Sequence, residues 1–216
     1  MISATSSSHK HVSIAKLKTI RKRFTKLYGV ERADDLLERF YRMIGRYGVG
    51  KNRTSLSVKP LSQKDSVLIT YADMVTSQGE NSLHSLKEFC TANLKGAFSA
   101  IHILPFYPWT SDDGFSVVDY REVDERYGNW DDVSRLSEEF ELMFDLVLNH
   151  CSSAHSWFEN YLRGESPGAG YFIEPKPTDE LSKVVRPRSS PLLTKFETAN
   201  GQRSVWCTFG PDQIDL

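Results

Sequence analysis

The chain has 216 residues, 39% hydrophobic and 25% charged with 12% aromatic, a makeup that suits a globular protein able to bury a core without staples. Its 27 Lys and Arg nearly cancel 28 Asp and Glu, and a net charge of −1 argues against an electrostatic nucleic-acid binder. No apolar run approaches the ~20 residues of a membrane span, and the first dozen residues lack the apolar stretch of a secretory signal.

The opening is Ser-rich, so residues 1–12 read as a disordered tail. Ile14, Leu17, Ile20, Phe24 and Leu27 then recur every three or four residues among Lys and Arg, which predicts an amphipathic helix ending near Gly29. Ala33, Leu36, Leu37, Phe40, Met43, Ile44 and Tyr47 repeat the period until Gly48 and Gly50 stop it. Residues 13–60 thus form a helical extension, either a packing element on a larger domain or an arm that binds a partner.

The period then changes. Val67–Tyr71 is a short apolar run, the pattern of a buried strand. Leu83, Leu86, Phe89 and Leu94 make a helical stripe opened by Asn81 or Ser82 as the cap. Phe98–Leu104 is a second strand, stopped by Pro105. Trp130, Val133, Leu136 and Phe140 mark another helix, and Leu142–Leu148 a third strand. Strand, helix, strand, helix, strand predicts consecutive βα units with parallel strands over residues 61–150, an α/β fold. Residues 151–204 are rich in Ser, Pro, Gly and charge, and read as an irregular inserted subdomain. Val205–Phe209 starts a return strand within a last segment, residues 205–216. Cys90, Cys151 and Cys207 are odd in number and outside any CxxC pattern, which predicts a reducing, cytoplasmic setting.

In parallel βα architectures ligands gather where strands end. Two strand ends here are polar: the stretch from Pro105 to Tyr120, which holds Asp112, Asp113, Gly114, Phe115 and Asp119, and the stretch Asp145 to His150. Carboxylates, an amide, an imidazole and aromatic rings on one rim suit a sugar, whose apolar face stacks on rings while its hydroxyls bond to Asp and His. Each group also has a plainer role open to it: Asp112–Gly114 as a turn, Asp119 as a cap, His150 as a structural histidine.

Phe144–His150 resembles the first signature region of the α-amylase superfamily of (β/α)8-barrel glycosidases (glycoside hydrolase family 13). Asp112–Phe115, with Val118-Asp119-Tyr120 and Tyr127-Gly128, is similar to the loop after strand two in the sucrose phosphorylase branch. Arg186-Pro187-Arg188 and Val205–Asp215 resemble further segments of that branch, and the match covers roughly residues 64–216. Ser116–Tyr120 departs from the string of plain sucrose phosphorylases and is closer to the group acting on glucosylglycerate, glucosylglycerol or sucrose 6-phosphate.

The resemblance implies the first three strands of a TIM barrel, an inserted subdomain and a retaining α-glucoside phosphorylase activity. Such an enzyme passes a glucosyl group to inorganic phosphate, its co-substrate, and yields α-glucose 1-phosphate; no other cofactor and no metal is implied. Retention needs two carboxyl groups about 5–5.5 Å apart. Carried over residue by residue, Asp112 holds glucose hydroxyls, Phe115 forms an apolar wall and His150 donates to a sugar hydroxyl. Phe209 lines the same donor pocket, Gln213 lies near the acceptor and Arg188 faces the acceptor or phosphate, unless Arg186 and Arg188 are a solvated surface. Asp145 is expected to position the loop around His150, Asn149 to make a structural hydrogen bond, and Cys151 to be a packed residue.

The family's nucleophile Asp, in an Arg-x-Asp string, its acid/base Glu and a third carboxylate belong to later strands, and no such string follows His150. The expected consequence is a chain without catalytic residues of its own, inactive alone, and marginal in stability unless a completing chain or self-association covers its open sheet. Two other readings stay open: a different superfamily hydrolase or transglucosidase, and a non-catalytic sugar-binding module.

Overall fold

The computed structural model of the protein describes residues 14–46, 61–186 and 188–216. The expected tail at 1–12, the stop after Tyr47 and Pro187 of the Arg-Pro-Arg segment lie outside the described residues. The chain divides into two compact units, Met1–Pro60 and Leu61–Leu216.

In the first unit, α1 (Ile14–Tyr28) and α2 (Val30–Arg46) form a helical hairpin joined by Gly29 alone. Gly29 takes a left-handed φ of 84°, which a glycine adopts without a Cβ clash, and its N–H closes the last turn on the Thr25 carbonyl. Phe24 meets Phe40 edge to face at 6.0 Å, and Arg21 grips Asp34 with a two-pronged bond at 2.6 and 2.9 Å. Only Ala33 among the described residues of the pair is buried.

The second unit begins with three short strands, β1 (Val67–Thr70), β2 (Ala100–Ile103) and β3 (Glu141–Phe144). They lie side by side and parallel, with Val67 opposite Ala100 and Ala100 opposite Glu141. The crossovers are α3 (Ser82–Asn93) and α4 (Trp130–Ser137). Asn81 caps α3 by accepting from the His84 N–H at 2.9 Å, as its position before the apolar stripe predicts. Asn129 and Asp132 form a reciprocal capping box on α4. One face of the sheet supplies Ile101 and Ile103, fully buried with Leu83, Leu86, Val133 and Leu136 of the helices. The other face leaves Val67, Ile69 and Met143 exposed, and a closed barrel would turn that face inward.

The third strand is shorter than the apolar run. It ends at Phe144, because polar side chains replace the ladder from Asp145 onward. The Asp145 carboxylate pairs with His102 Nε2 at 2.8 Å, and the Tyr120 hydroxyl donates to the carbonyls of Val147 and His150. The expectation of an irregular stretch at 151–204 is corrected more strongly. Strand β4 (His150–Ser152) leads into α5 (Ser156–Arg163), whose N-terminus is capped by His155 Nδ1 accepting from the Trp157 N–H. A hairpin follows, β5 (Leu193–Thr198) and β6 (Gly201–Trp206), so Val205 ends a hairpin arm rather than starting a return strand. Strand β7 (Gln213–Asp215) pairs antiparallel with β4. Phe158, Tyr161, Val205, Cys207 and Ile214 make a second core there, with Phe172 and Phe196 packed on it. α5 carries Trp157, Phe158, Tyr161 and Leu162 at helical spacing but over only eight residues, and each hairpin strand is only six residues long, so neither stands out from the surrounding polar stretch.

Candidate functional site

Parallel strands present all their C-terminal ends on one edge. Tyr71 follows β1, the Pro105–Asp119 loop follows β2 and Asp145 follows β3; all three reach a cleft of about 500 Å³. The loop doubles back on itself: Trp109 bridges Val117, and the Thr110 and Val118 N–H groups bond to the Ser116 and Pro108 carbonyls. Its tip is a tight turn in which Asp112, Asp113 and Gly114 all hold positive φ, at 58°, 49° and 102°. Asp tolerates this region better than most residues, and a Cβ on Gly114 would stand 2.5 Å from the Pro105 carbonyl oxygen. Asp112–Gly114 is thus a turn, and Asp112 and Asp113 line the cleft from it.

Five of the six expected site residues, Asp112, Phe115, His150, Arg188 and Phe209, line the cleft together with Tyr71, Asp113, Asp145 and the 146–149 segment. The His150 and Phe209 rings sit 5.0 Å apart, and the Arg188 guanidinium lies 5.8 Å above the Phe209 ring with its Nε donating to the Phe209 carbonyl. Three carboxylates and one guanidinium thus surround a partly aromatic hollow. Carboxylates accept from hydroxyls, rings cover apolar faces and a guanidinium suits an oxyanion.

Two placements differ from expectation. Gln213 does not line the cleft; it is 4% exposed and stands behind it, donating from Nε2 to Asp112 Oδ2 at 3.0 Å. Its amide nitrogen is also 3.2 Å from His150 Nε2. His150, for its part, is already engaged at both ring nitrogens: Nε2 lies 2.9 Å from the Phe115 carbonyl and Nδ1 lies 2.7 Å from Asn149 Nδ2. With the Asn149 amide donating to Nδ1, the ring donates from Nε2 to the Phe115 carbonyl, and the Gln213 amide beside Nε2 is left to donate to Asp112; a sugar hydroxyl would have to displace the Phe115 carbonyl to receive the Nε2 proton. Asp119 stays outside the cleft and holds Arg121, which keeps its carboxyl below the ordinary range. Arg186 bonds to the Thr208 carbonyl at 2.8 Å and is part-buried, whereas Arg188 faces the cleft.

Sequence reasoning missed two residues. Tyr71 is an aromatic at a strand's C-terminal end, a signal that was present. Asp212 had no local signal: its Oδ2 accepts from Thr110, Ser111 and Ser116 at 2.5, 2.7 and 2.9 Å, and its Oδ1 from Ser153 at 2.6 Å. Burial raises the Asp212 carboxyl, and the four hydroxyls outweigh it and leave it below the ordinary range. Cys151 is fully buried, and burial reinforced by Asp212 pushes its thiol up to about 12, which rules it out as a nucleophile at neutral pH. Among the described residues no group of three or more His, Cys, Asp or Glu is placed to hold a metal ion. No helix among them is long and apolar enough to cross a membrane.

The family profile described as "Alpha amylase, catalytic domain" matches residues 94–204. The chain belongs to that family. A glucosylglycerate phosphorylase of Spirochaeta thermophila is 45% identical over 194 residues, 88% of this chain and 33% of that protein. A sucrose phosphorylase of Streptococcus mutans is 35% identical over 70% of this chain and 33% of its own length. Among solved structures, the sucrose 6F-phosphate phosphorylase from Thermoanaerobacter thermosaccharolyticum superposes with a TM-score of 0.63 at 29% identity, covering 74% of this chain and 35% of that one. This α-amylase-family chain therefore spans about a third of the length of the curated relatives it matches, and its three parallel strands are part of a (β/α)8 barrel.

Proposed function

We propose that the cleft is the glucosyl-donor subsite of a retaining α-glucoside phosphorylase whose preferred donor is glucosylglycerate. The observation that carries this reading is the convergence of Asp112, Phe115, His150, Arg188 and Phe209 on one hollow at the strand ends. Asp112 accepts from glucose hydroxyls, Phe115 and Phe209 cover the apolar face of the ring, and Arg188 meets the anion, either phosphate or the glycerate carboxylate. The two carboxylates that such chemistry needs, one to attack the anomeric carbon and one to protonate the leaving oxygen, are not assigned to residues of this cleft. Overall, phosphate replaces glycerate at the anomeric carbon with retention, and the leaving oxygen takes a proton from the acid. The higher identity to a glucosylglycerate phosphorylase than to a sucrose phosphorylase supports the choice of donor.

The test starts with the intact mass of the protein made from its native locus, compared with 24.6 kDa. That protein is then given glucosylglycerate, sucrose and sucrose 6-phosphate with and without phosphate. Phosphate-dependent glucose 1-phosphate, fastest from glucosylglycerate, is expected. Free glucose at an undiminished rate without phosphate would make it a hydrolase instead, and saturable sugar binding with no turnover would make it a binding module.

A further inference from the structure

The Asp112–Gly114 turn is strained. Two consecutive non-glycine residues in the left-handed region are each sterically disfavoured, and such a conformation persists only where its surroundings over-determine it. Within the turn the Phe115 N–H bonds to the Asp112 carbonyl, and the Ser116 N–H closes it on the Ser111 carbonyl at 3.2 Å. A further restraint comes from the far end of the chain.

We propose that Asp212 is a positioning residue, the anchor that holds this turn in the shape that presents Asp112 and Phe115 to the cleft. Thr110 and Ser111 precede the turn and Ser116 follows it, and all three hydroxyls donate to the one oxygen, Oδ2. Both legs of the turn are thereby tied to a single point. Ser153, just after β4, donates to the other oxygen, and the Ser153 N–H bonds to the Asp212 carbonyl at 3.0 Å, so the anchor is itself fixed to the β4–β7 pair. Ser152 extends the set through its hydroxyl contact with Thr110 at 2.7 Å. A carboxylate has the lone pairs to accept all four hydroxyls, while an amide at 212 offers one acceptor oxygen and a nitrogen that only donates. The next residue, Gln213, takes hold of the Asp112 carboxylate itself. Position 212 thus sets the backbone of the turn, and position 213 aims one side chain of it. This inference rests on the donor-site reading for its purpose, though not for its geometry.

The experiment compares the protein as made from its native locus with its Asp212→Asn variant, using amide hydrogen exchange and glucose binding as separate readouts. Hydrogen bonds to a charged group are roughly twice as strong as neutral ones, so the Phe115 and Ser116 amides should exchange at least about tenfold faster in the variant. The Ile101 amide in β2 should be unchanged. Ser111→Ala, which removes one hydroxyl and leaves the anchor intact, should give a smaller rise at the same two amides and serves if Asp212→Asn folds poorly. Asp212→Glu, which keeps the carboxylate, should restore part of the protection. Glucose affinity should fall by about tenfold in Asp212→Asn, in step with the exchange. Unchanged exchange at Phe115 and Ser116, or an equal rise through β2, overturns the anchor whatever happens to glucose. A rise confined to the turn in a parent chain that binds no glucose keeps the anchor and removes the donor-site reading.

Discussion

The helical hairpin and the barrel segment were read from the same kind of signal, apolar residues at a helical period, yet they bury very different amounts. In α1 and α2 the stripe is present and, among the described residues, only Ala33 is buried. In α3 the stripe meets a sheet, and Leu83, Leu86 and Cys90 lose nearly all exposure. The two regions also divide the charge. Residues 1–60 hold 14 Lys and Arg against 4 Asp and Glu, while residues 61–216 hold 13 against 24. Near-neutrality of the whole chain is an average over a basic region and an acidic one. The argument from net charge against a nucleic-acid partner therefore has force for the second region and none for the first.

Core truncation is the strongest way to break this comparison. Phe158→Ala empties the centre of the second core, where the ring meets Tyr161, Phe172 and Phe196 at 4.7–5.5 Å, and should cost about 3–5 kcal/mol in a denaturant titration. Phe24→Ala in the hairpin should cost about 1 kcal/mol, because the ring is only half-buried to begin with. Equal losses would mean that the hairpin seam is covered in solution by another surface.

Acid should separate the regions next. Paired Arg126 holds Asp124 below the ordinary range against the opposing effect of burial, and Arg121 does the same for Asp119. For Asp212 burial is outweighed by its hydroxyls, with the same net direction. A lowered folded pKa means that the unfolded chain binds protons first, so the stabilisation is complete above an unfolded value of about 3.9 and is lost as pH falls through the folded values. Burial also lowers His155, which adds a loss beginning below about 6.5 as the unfolded imidazole takes its proton. Stability of the 61–216 unit should hold near neutrality, ease below pH of about 6 and drop steeply below about 4. Urea midpoints across pH that rise on acidification would contradict this, and Asp124→Asn should flatten the steep part.

How much of this could be read from residues alone follows from how far each signal travels along the chain. The βα order, the Asn81 cap and the tight turn at Asp112–Gly114 are local patterns, and they stand where the spacing puts them. Asp112, Phe115 and His150 stood out at strand ends, whereas Arg188 and Phe209 entered only through the family resemblance; these five line one cleft. The role of Asp212 was invisible because its partners Thr110 and Ser111 lie 102 and 101 residues earlier. Gln213 was misplaced for the same reason: its neighbour Asp112 is equally distant, and only the β4–β7 pairing sets which way the side chain turns. Helix α5 and the β5–β6 hairpin differ again: the helical spacing of Trp157, Phe158, Tyr161 and Leu162 is present but spans only eight residues, and the hairpin strands six each.

The finest test sets two ion pairs of like geometry against each other. Arg126 holds Asp124 at 2.7 Å in the second unit, and Arg21 holds Asp34 at 2.6 Å in the hairpin. Their surroundings differ: the Asp124 side chain is 9% exposed and that of Asp34 67%. Arg126 also lies 4.8 Å over the Trp109 ring. Arg126→Ala should therefore cost about 1 kcal/mol, the upper end for a half-exposed pair, and keep most of that cost in high salt, which screens buried groups poorly. Arg21→Ala should leave the hairpin's melting midpoint unmoved at high salt, because water and ions already surround both partners. A loss for Arg21→Ala that survives high salt would mean that the pair is shielded in solution, and the contrast in burial between the two regions would then fail at the hairpin.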